Sequence, residues 1–185
     1  VSIFFLLTPI ILFMIGSSKI KSFQSSDLIE NNYLIRTIGS KIELDRFYGE
    51  SDTVSVINEL IKLSQPDLDT KTLFLWPEGI IPNIYQSEFQ ELQFLFNQKF
   101  NENHLLGIGI NNFEKHNNEN KFYNSFSFYD HNLNLLNSYN KVNLVPFGEF
   151  LPFEKILGIV GLKSLTNNYQ SFSSGENRQI IKISE

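Results

Sequence analysis

The 185-residue sequence contains no cysteine. Within these residues that excludes a disulfide, a thiolate metal site and a sulfur nucleophile, and it leaves the redox compartment open. Only three histidines occur, at positions 104, 116 and 131, and no two lie at the short spacing of a histidine metal site. No cofactor and no metal are therefore expected. An excess of positive charge is also missing, since fifteen Lys and Arg stand against twenty Asp and Glu for a net charge of -5. The bases are scattered and give no field for a phosphate backbone, so nucleic acid is not an expected partner. No fixed period recurs, which argues against a repeat array.

What is present suits a folded chain: 42% hydrophobic and 14% aromatic residues are enough for one domain with a sizeable core. Residues 1–16, VSIFFLLTPIILFMIG, are nearly all apolar and uncharged. As a helix they reach about 24 Å, short of a bilayer core of roughly 30 Å. They lack a basic leader and a small-residue cleavage site, so a signal peptide fits poorly. They read as the tail of a transmembrane helix that starts upstream of Val1, with a buried core helix as the alternative. Lys19 and Lys21 favour a cytoplasmic exit, a tendency that long translocated domains override. Residues 17–32 turn polar and read as a linker, and residues 33–185 as the domain that follows.

Within that domain, YLIRTI at 33–38 reads as a strand ended by Gly39. Asp52 is placed to cap a helix through about Ser64, with Val54, Ile57, Leu60 and Ile61 at helical spacing and Pro66 just past its end. The apolar run Leu73, Phe74, Leu75, Trp76 predicts a strand covered on both faces, and Glu78 follows at once. Ser87 and Gln90 suggest a capping box for a second helix, with Phe89, Leu92, Phe96 and Phe100 on one face. HLLGIGI at 104–110 predicts a strand in which Gly107 and Gly109 allow close backbone approach. Residues 111–120 read as a polar turn, and 121–129 and 132–139 as a hairpin around Asp130 and His131. Residues 178–183 read as a last strand. Strands alternating with helices predict an α/β sheet whose strand ends deliver polar residues to one crevice.

Three charges qualify as candidate site residues: Glu78 in LFLWPEG, and Lys141 and Glu149 in YNKVNLVPFGEFLPFE. Each has a plain alternative. A glutamate after proline is usually a solvated turn residue, and Glu149 is near enough to Lys155 for a surface pair of little worth. Glu154 suits the first turn of a short helix, and the three histidines read as strand-start and loop residues.

Taken together, WPEG at 76–79 and Tyr-x-Lys-x-x-Leu-Val-Pro-Phe-Gly-Glu at 139–149 resemble the apolipoprotein N-acyltransferases, the membrane branch of the nitrilase or carbon-nitrogen hydrolase superfamily. Tyr123, Asn124 and Ser125 match the family's Tyr-Asn-Ser in the strand before the lysine. The resemblance covers residues 33–185, with 1–16 in the place of the preceding transmembrane helix. It implies an αββα sandwich and a Glu-Lys-Cys triad in which Glu78 is the general base, Lys141 stabilises the oxyanion and Glu149 supports the lysine. It implies a phospholipid acyl donor, a diacylglyceryl apolipoprotein acceptor, and a bacterial inner (plasma) membrane location with the catalytic domain on the periplasmic side. The sequence departs from the family in having no cysteine. That residue is expected just after the strand following Phe172 to Gly175, so the sequence reads as truncated before it and as inactive alone. An apolar series of Phe147, Phe150, Leu151, Phe153, Ile156, Leu157, Ile159, Val160 and Leu162 flanks the charges and suits either acyl-chain guidance or core packing. Two rivals stand beside this: a soluble amidase, which has no use for the apolar lead-in, and a membrane-tethered domain without catalysis.

Overall fold

The computed structural model describes residues 2–22, 33–39, 52–116, 119–153, 171–178 and 180–183. The chain divides into two compact units, Val1–Asn32 and Tyr33–Glu185. The first holds helix α1, Ser2–Ser22, with Pro9 inside it. The apolar stretch is helical, but the helix continues six residues past Gly16, where a linker was expected. Its described side chains from Ile10 to Ile15 are exposed and apolar on every side rather than along one stripe. Among the described residues no helix is long and apolar enough to cross a membrane. The helix is thus established, and a membrane span is not.

The second unit is a mixed α/β structure built on one five-stranded sheet in the order β1-β2-β3-β4-β5. Strands β1 (Leu34–Thr37), β2 (Thr72–Trp76) and β3 (His104–His116) run parallel, and β4 (Glu119–Tyr129) and β5 (Leu135–Asn140) add antiparallel. Of the two sheets in the expected sandwich, one is formed among the described residues.

Helix α2, Thr53–Ser64, begins as its sequence dictates, with the Asp52 carboxylate accepting the Val54 N–H. Val56, Ile57, Leu60 and Ile61 are its buried apolar side chains, Val56 taking the place expected for Val54. The helix stops at Gln65, which turns left-handed one residue before Pro66. On β2 the indole of Trp76 donates to Ser64 Oγ at 2.9 Å, and that hydroxyl donates to the Leu60 carbonyl. Strand and helix are locked together at the point where the chain leaves the sheet.

Other expectations need correction. The second helix is a 3₁₀ segment, Gln86–Leu95, and Glu88 rather than Gln90 closes its start by accepting the Tyr85 N–H. Tertiary bonds hold it in place: Gln86 reaches Ser127 and Ser138, Gln90 reaches Asn134, and Gln93 reaches Asn132. Residues 111–116 are strand rather than turn, because each pairs across the ladder with 119–124, including Phe113 with Phe122 and Glu114 with Lys121. Residues 178 and 180–183 form no strand: Ile180 is almost fully exposed, and no strand among the described residues pairs with them.

Burial separates the two faces of the sheet. Phe74, Trp76, Leu106, Ile108, Ile110 and Tyr129 are buried with α2 and the aromatic residues Phe89, Phe96 and Phe100. The alternate residues Leu73, Leu75, Leu105, Phe122, Phe126 and Phe128 are only half-buried. The β2 run is therefore covered fully on one face alone, contrary to the reading of its four apolar residues.

Candidate active site

The chain leaves β2 at Trp76 and turns at Pro77. Gly79 adopts a left-handed φ of 61°, which sends Ile80 and Ile81 straight back into the core. Glu78 is thus held between an indole anchor and two buried isoleucines. A side chain at Gly109 on β3 would collide with the Glu78 backbone and lie 2.8 Å from the Pro77 carbonyl oxygen. Glycine there is what lets the glutamate rest on the sheet.

Lys141 follows β5, and its N–H donates to the Asn124 carbonyl at 2.8 Å. The Val145-Pro146-Phe147-Gly148 turn then folds onto Glu149: the Glu149 N–H donates to the Val145 carbonyl at 2.8 Å, and the Val145 N–H returns to Glu149 Oε2 at 2.7 Å. Phe147 in this turn is left-handed at φ 63°. Three backbone bonds tie residues 172–175 to this region: Phe172 N–H to the Glu149 carbonyl, Ser173 N–H to that of Phe122 and Gly175 N–H to that of Lys141.

These segments bring all three candidate charges together. Lys141 Nζ lies 3.0 Å from Glu78 Oε1 and 2.9 Å from Glu149 Oε1. Asn124, which the sequence reading noted only as part of a motif, donates from Nδ2 to Glu78 and, at 2.5 Å, to Glu149 Oε1. It stands opposite Asn111 in the ladder, on the strand beside β5.

The two carboxylates differ in access. The Glu78 side chain is 56% exposed and that of Glu149 only 11%, so Glu78 can meet a reactant and Glu149 cannot do so readily. Hydrogen bonding to Glu149 holds the Lys141 ammonium above the usual lysine range, with partial burial opposing and Glu78 assisting. Burial alone would raise the Glu149 carboxyl, but the bonds from Lys141, the Val145 N–H and Asn124 outweigh it and hold it below the usual range. Next to the cluster lies an apolar cavity of about 350 Å³ lined by Val142, Leu144, Phe150, Phe172 and Ser174.

The other candidates lie elsewhere. His104 is buried, with Nδ1 accepting the Asn101 N–H and Nε2 bonded to the Asp67 carbonyl, so it is a core strut. Glu154, Lys155, Ile156, Leu157, Ile159, Val160 and Leu162 lie outside the described residues.

A sheet that gathers two carboxylates and an ammonium at its strand ends has relatives among acyltransferases. The chain is similar to apolipoprotein N-acyltransferases: that of Brucella suis is 32% identical over 115 residues, covering 61% of this chain and 21% of the relative. That of Caulobacter vibrioides is 26% identical over 158 residues, covering 81% and 30%. The chain therefore spans between about a fifth and a third of the length of these relatives. No family model matches it. Among solved structures, a carbon-nitrogen hydrolase from Helicobacter pylori aligns at a TM-score of 0.43 and 14% identity, covering 78% of this chain and 45% of that one. A Saccharomyces cerevisiae member of the nitrilase superfamily aligns at 0.34 and 19%, covering 67% and 41%. With scores this low, the functional reading rests on the site and the sequence relatives.

Proposed function

We propose that residues 33–185 are part of the catalytic domain of an apolipoprotein N-acyltransferase, a nitrilase-like αββα sandwich of which the five-stranded sheet is one layer. The observation that carries this reading is the single lysine held between an exposed and a buried carboxylate, in a chain whose relatives bear that name. Glu78 is the general base that takes the proton of a cysteine thiol supplied from outside these 185 residues. A thiol needs such a base because the thiolate is the nucleophile. Lys141 meets the oxyanion that forms when the thiolate attacks the acyl ester of a phospholipid, and Glu149 keeps that lysine charged and aimed. The alcohol leaves, a thioester remains, and the α-amine of a diacylglyceryl-cysteine lipoprotein then takes the acyl chain and releases the sulfur.

Both substrates are lipids, so the site works at a membrane surface, on the periplasmic side of the inner membrane, with α1 belonging to the preceding membrane helix. Phe147 and Phe153 support this placement, being 73% and 76% exposed within four residues of Glu149 in the chain, as does the apolar cavity lined by Val142 and Phe150, the chain neighbours of Lys141 and Glu149. A soluble amidase has no need of either feature.

The test is a chimera in which residues 33–185 replace the matching segment of the Caulobacter vibrioides relative. It is assayed in phospholipid vesicles with a diacylglyceryl peptide and read by mass spectrometry. The reading expects addition of one acyl chain to the peptide amine. A folded chimera that leaves the peptide unchanged, or that hydrolyses small amides instead, would overturn it. Residues 1–185 alone, lacking a thiol, are expected to transfer nothing.

A further inference from the structure

The two Oε1 atoms of Glu78 and Glu149 share the same two donors, Lys141 Nζ and Asn124 Nδ2. Two carboxylates against one ammonium leave a net negative charge, and like charges at such range normally drive one carboxyl to take a proton. Holding the two carboxyl groups side by side therefore takes a further donor that faces both oxygens. Only the amide nitrogen of Asn124 can face both oxygens, because Oδ1 turned that way would oppose two acceptors. The amide is neutral, so it supplies two N–H groups without competing with Lys141 for the role of cation. It is also fixed in place: Asn124 lies within β4, and its own carbonyl accepts the Lys141 N–H at 2.8 Å.

We propose that Asn124 is a positioning residue whose side-chain amide holds the Glu78 and Glu149 carboxyl groups together around Lys141. The amide bonds to Glu78 from the end of β2 and to Glu149 from the segment after β5, both also paired with Lys141, and the ladder partner of Asn124 on β3 is the neutral Asn111. The importance of the arrangement for catalysis rests on the acyl-transfer reading. The arrangement itself does not.

The test is therefore made on the 185-residue chain, where no sulfur or substrate is needed. Carboxyl-carbon NMR follows the titration of Glu149 in the parent chain, in Asn124→Asp and in Asn124→Leu, with amide spectra checking the fold. Losing a charge-assisted donor is expected to move the Glu149 midpoint up by about one pH unit or more, further in Asn124→Asp, where a third carboxylate replaces the donor. A side chain that merely fills space predicts no movement, so an unshifted midpoint in both folded variants overturns the proposal. Should neither variant fold, the parent chain decides: its Asn124 side-chain amide signals are expected to shift with the Glu149 midpoint and to exchange slowly. Signals that ignore that titration and exchange like those of an exposed amide overturn it. Neither result depends on acyl transfer, so failure here and failure of the proposed function are distinguishable.

Discussion

Among the described residues, one face of the sheet is closed and the other is half open. On the helical face, Phe74 and Trp76 are fully buried and Trp76 is hydrogen-bonded into α2. On the opposite face, Leu73, Leu75, Phe126 and Phe128 keep part of their surface in water, and at its edge lie Glu78, Asn124 and Lys141. The comparison teaches that the hydrophobic core and the charge cluster are drawn from opposite sides of the same strands. Period-two alternation makes this possible, because neighbouring residues serve different faces.

The largest effect expected from breaking the comparison comes at matched phenylalanines. Phe74→Ala empties a closed core site and should cost about 3–5 kcal/mol. Phe126→Ala removes a half-covered ring and should cost about 1 kcal/mol. Urea unfolding of both variants checks this, and equal losses would mean that the second face is packed as tightly as the first. If a second sheet covers that face in a longer protein, the Phe126 loss should rise towards that at Phe74.

A second contrast lies at two glycines of β3. A methyl group at Gly109 meets backbone, the Glu78 segment, whereas at Gly107 it meets the ends of Leu75, Phe126 and Phe128 side chains at 2.8 to 3.1 Å. Those ends can move into the half-open face. Gly109→Ala should therefore cost about 1–3 kcal/mol and shift the Glu78 signals, while Gly107→Ala should cost less and leave them in place. The same spectra and unfolding curves decide it.

The smallest expected effect is the pH dependence of the cluster. Glu149 titrates lower folded than unfolded, so its contribution to stability is complete above the ordinary glutamate value of about 4.3 and is lost as pH falls through the lowered folded value. Lys141 titrates higher folded, so its contribution is complete below about 10.4 and is lost as pH rises through the raised folded value. Stability measured across pH should decline at both ends, and Glu149→Gln should flatten the acid limb. An unchanged acid limb would place Glu149 outside the network.

Local signals were legible wherever one segment decided its own fate. Asp52 capping α2, the Leu73 to Trp76 strand and the Asp130 turn all follow from residues next to one another, the last with Asp130 Oδ1 accepting the Asn132 and Asn134 N–H groups. The polar stretch 111–116 misled because its strand character comes from partners across the ladder. The 3₁₀ winding of Gln86–Leu95 misled for the same reason, since three glutamines answer to a distant hairpin. Within the site, the charges stood out as charges at punctuated strand ends. Asn124 did not, because a neutral amide gains its meaning only once two carboxylates, 46 and 25 residues away, are seen to face it.

The central claim, that Lys141 between two carboxylates is the electrostatic centre of an acyl transfer, is tested most directly by Lys141→Met in the Caulobacter chimera. With the unfolding midpoint measured alongside, N-acylation of the diacylglyceryl peptide is expected to fall by about 10²-fold to 10³-fold or more while the domain stays folded. Transfer remaining within about twofold of the parent chimera would contradict it, because an oxyanion that does not need this ammonium is not forming beside it.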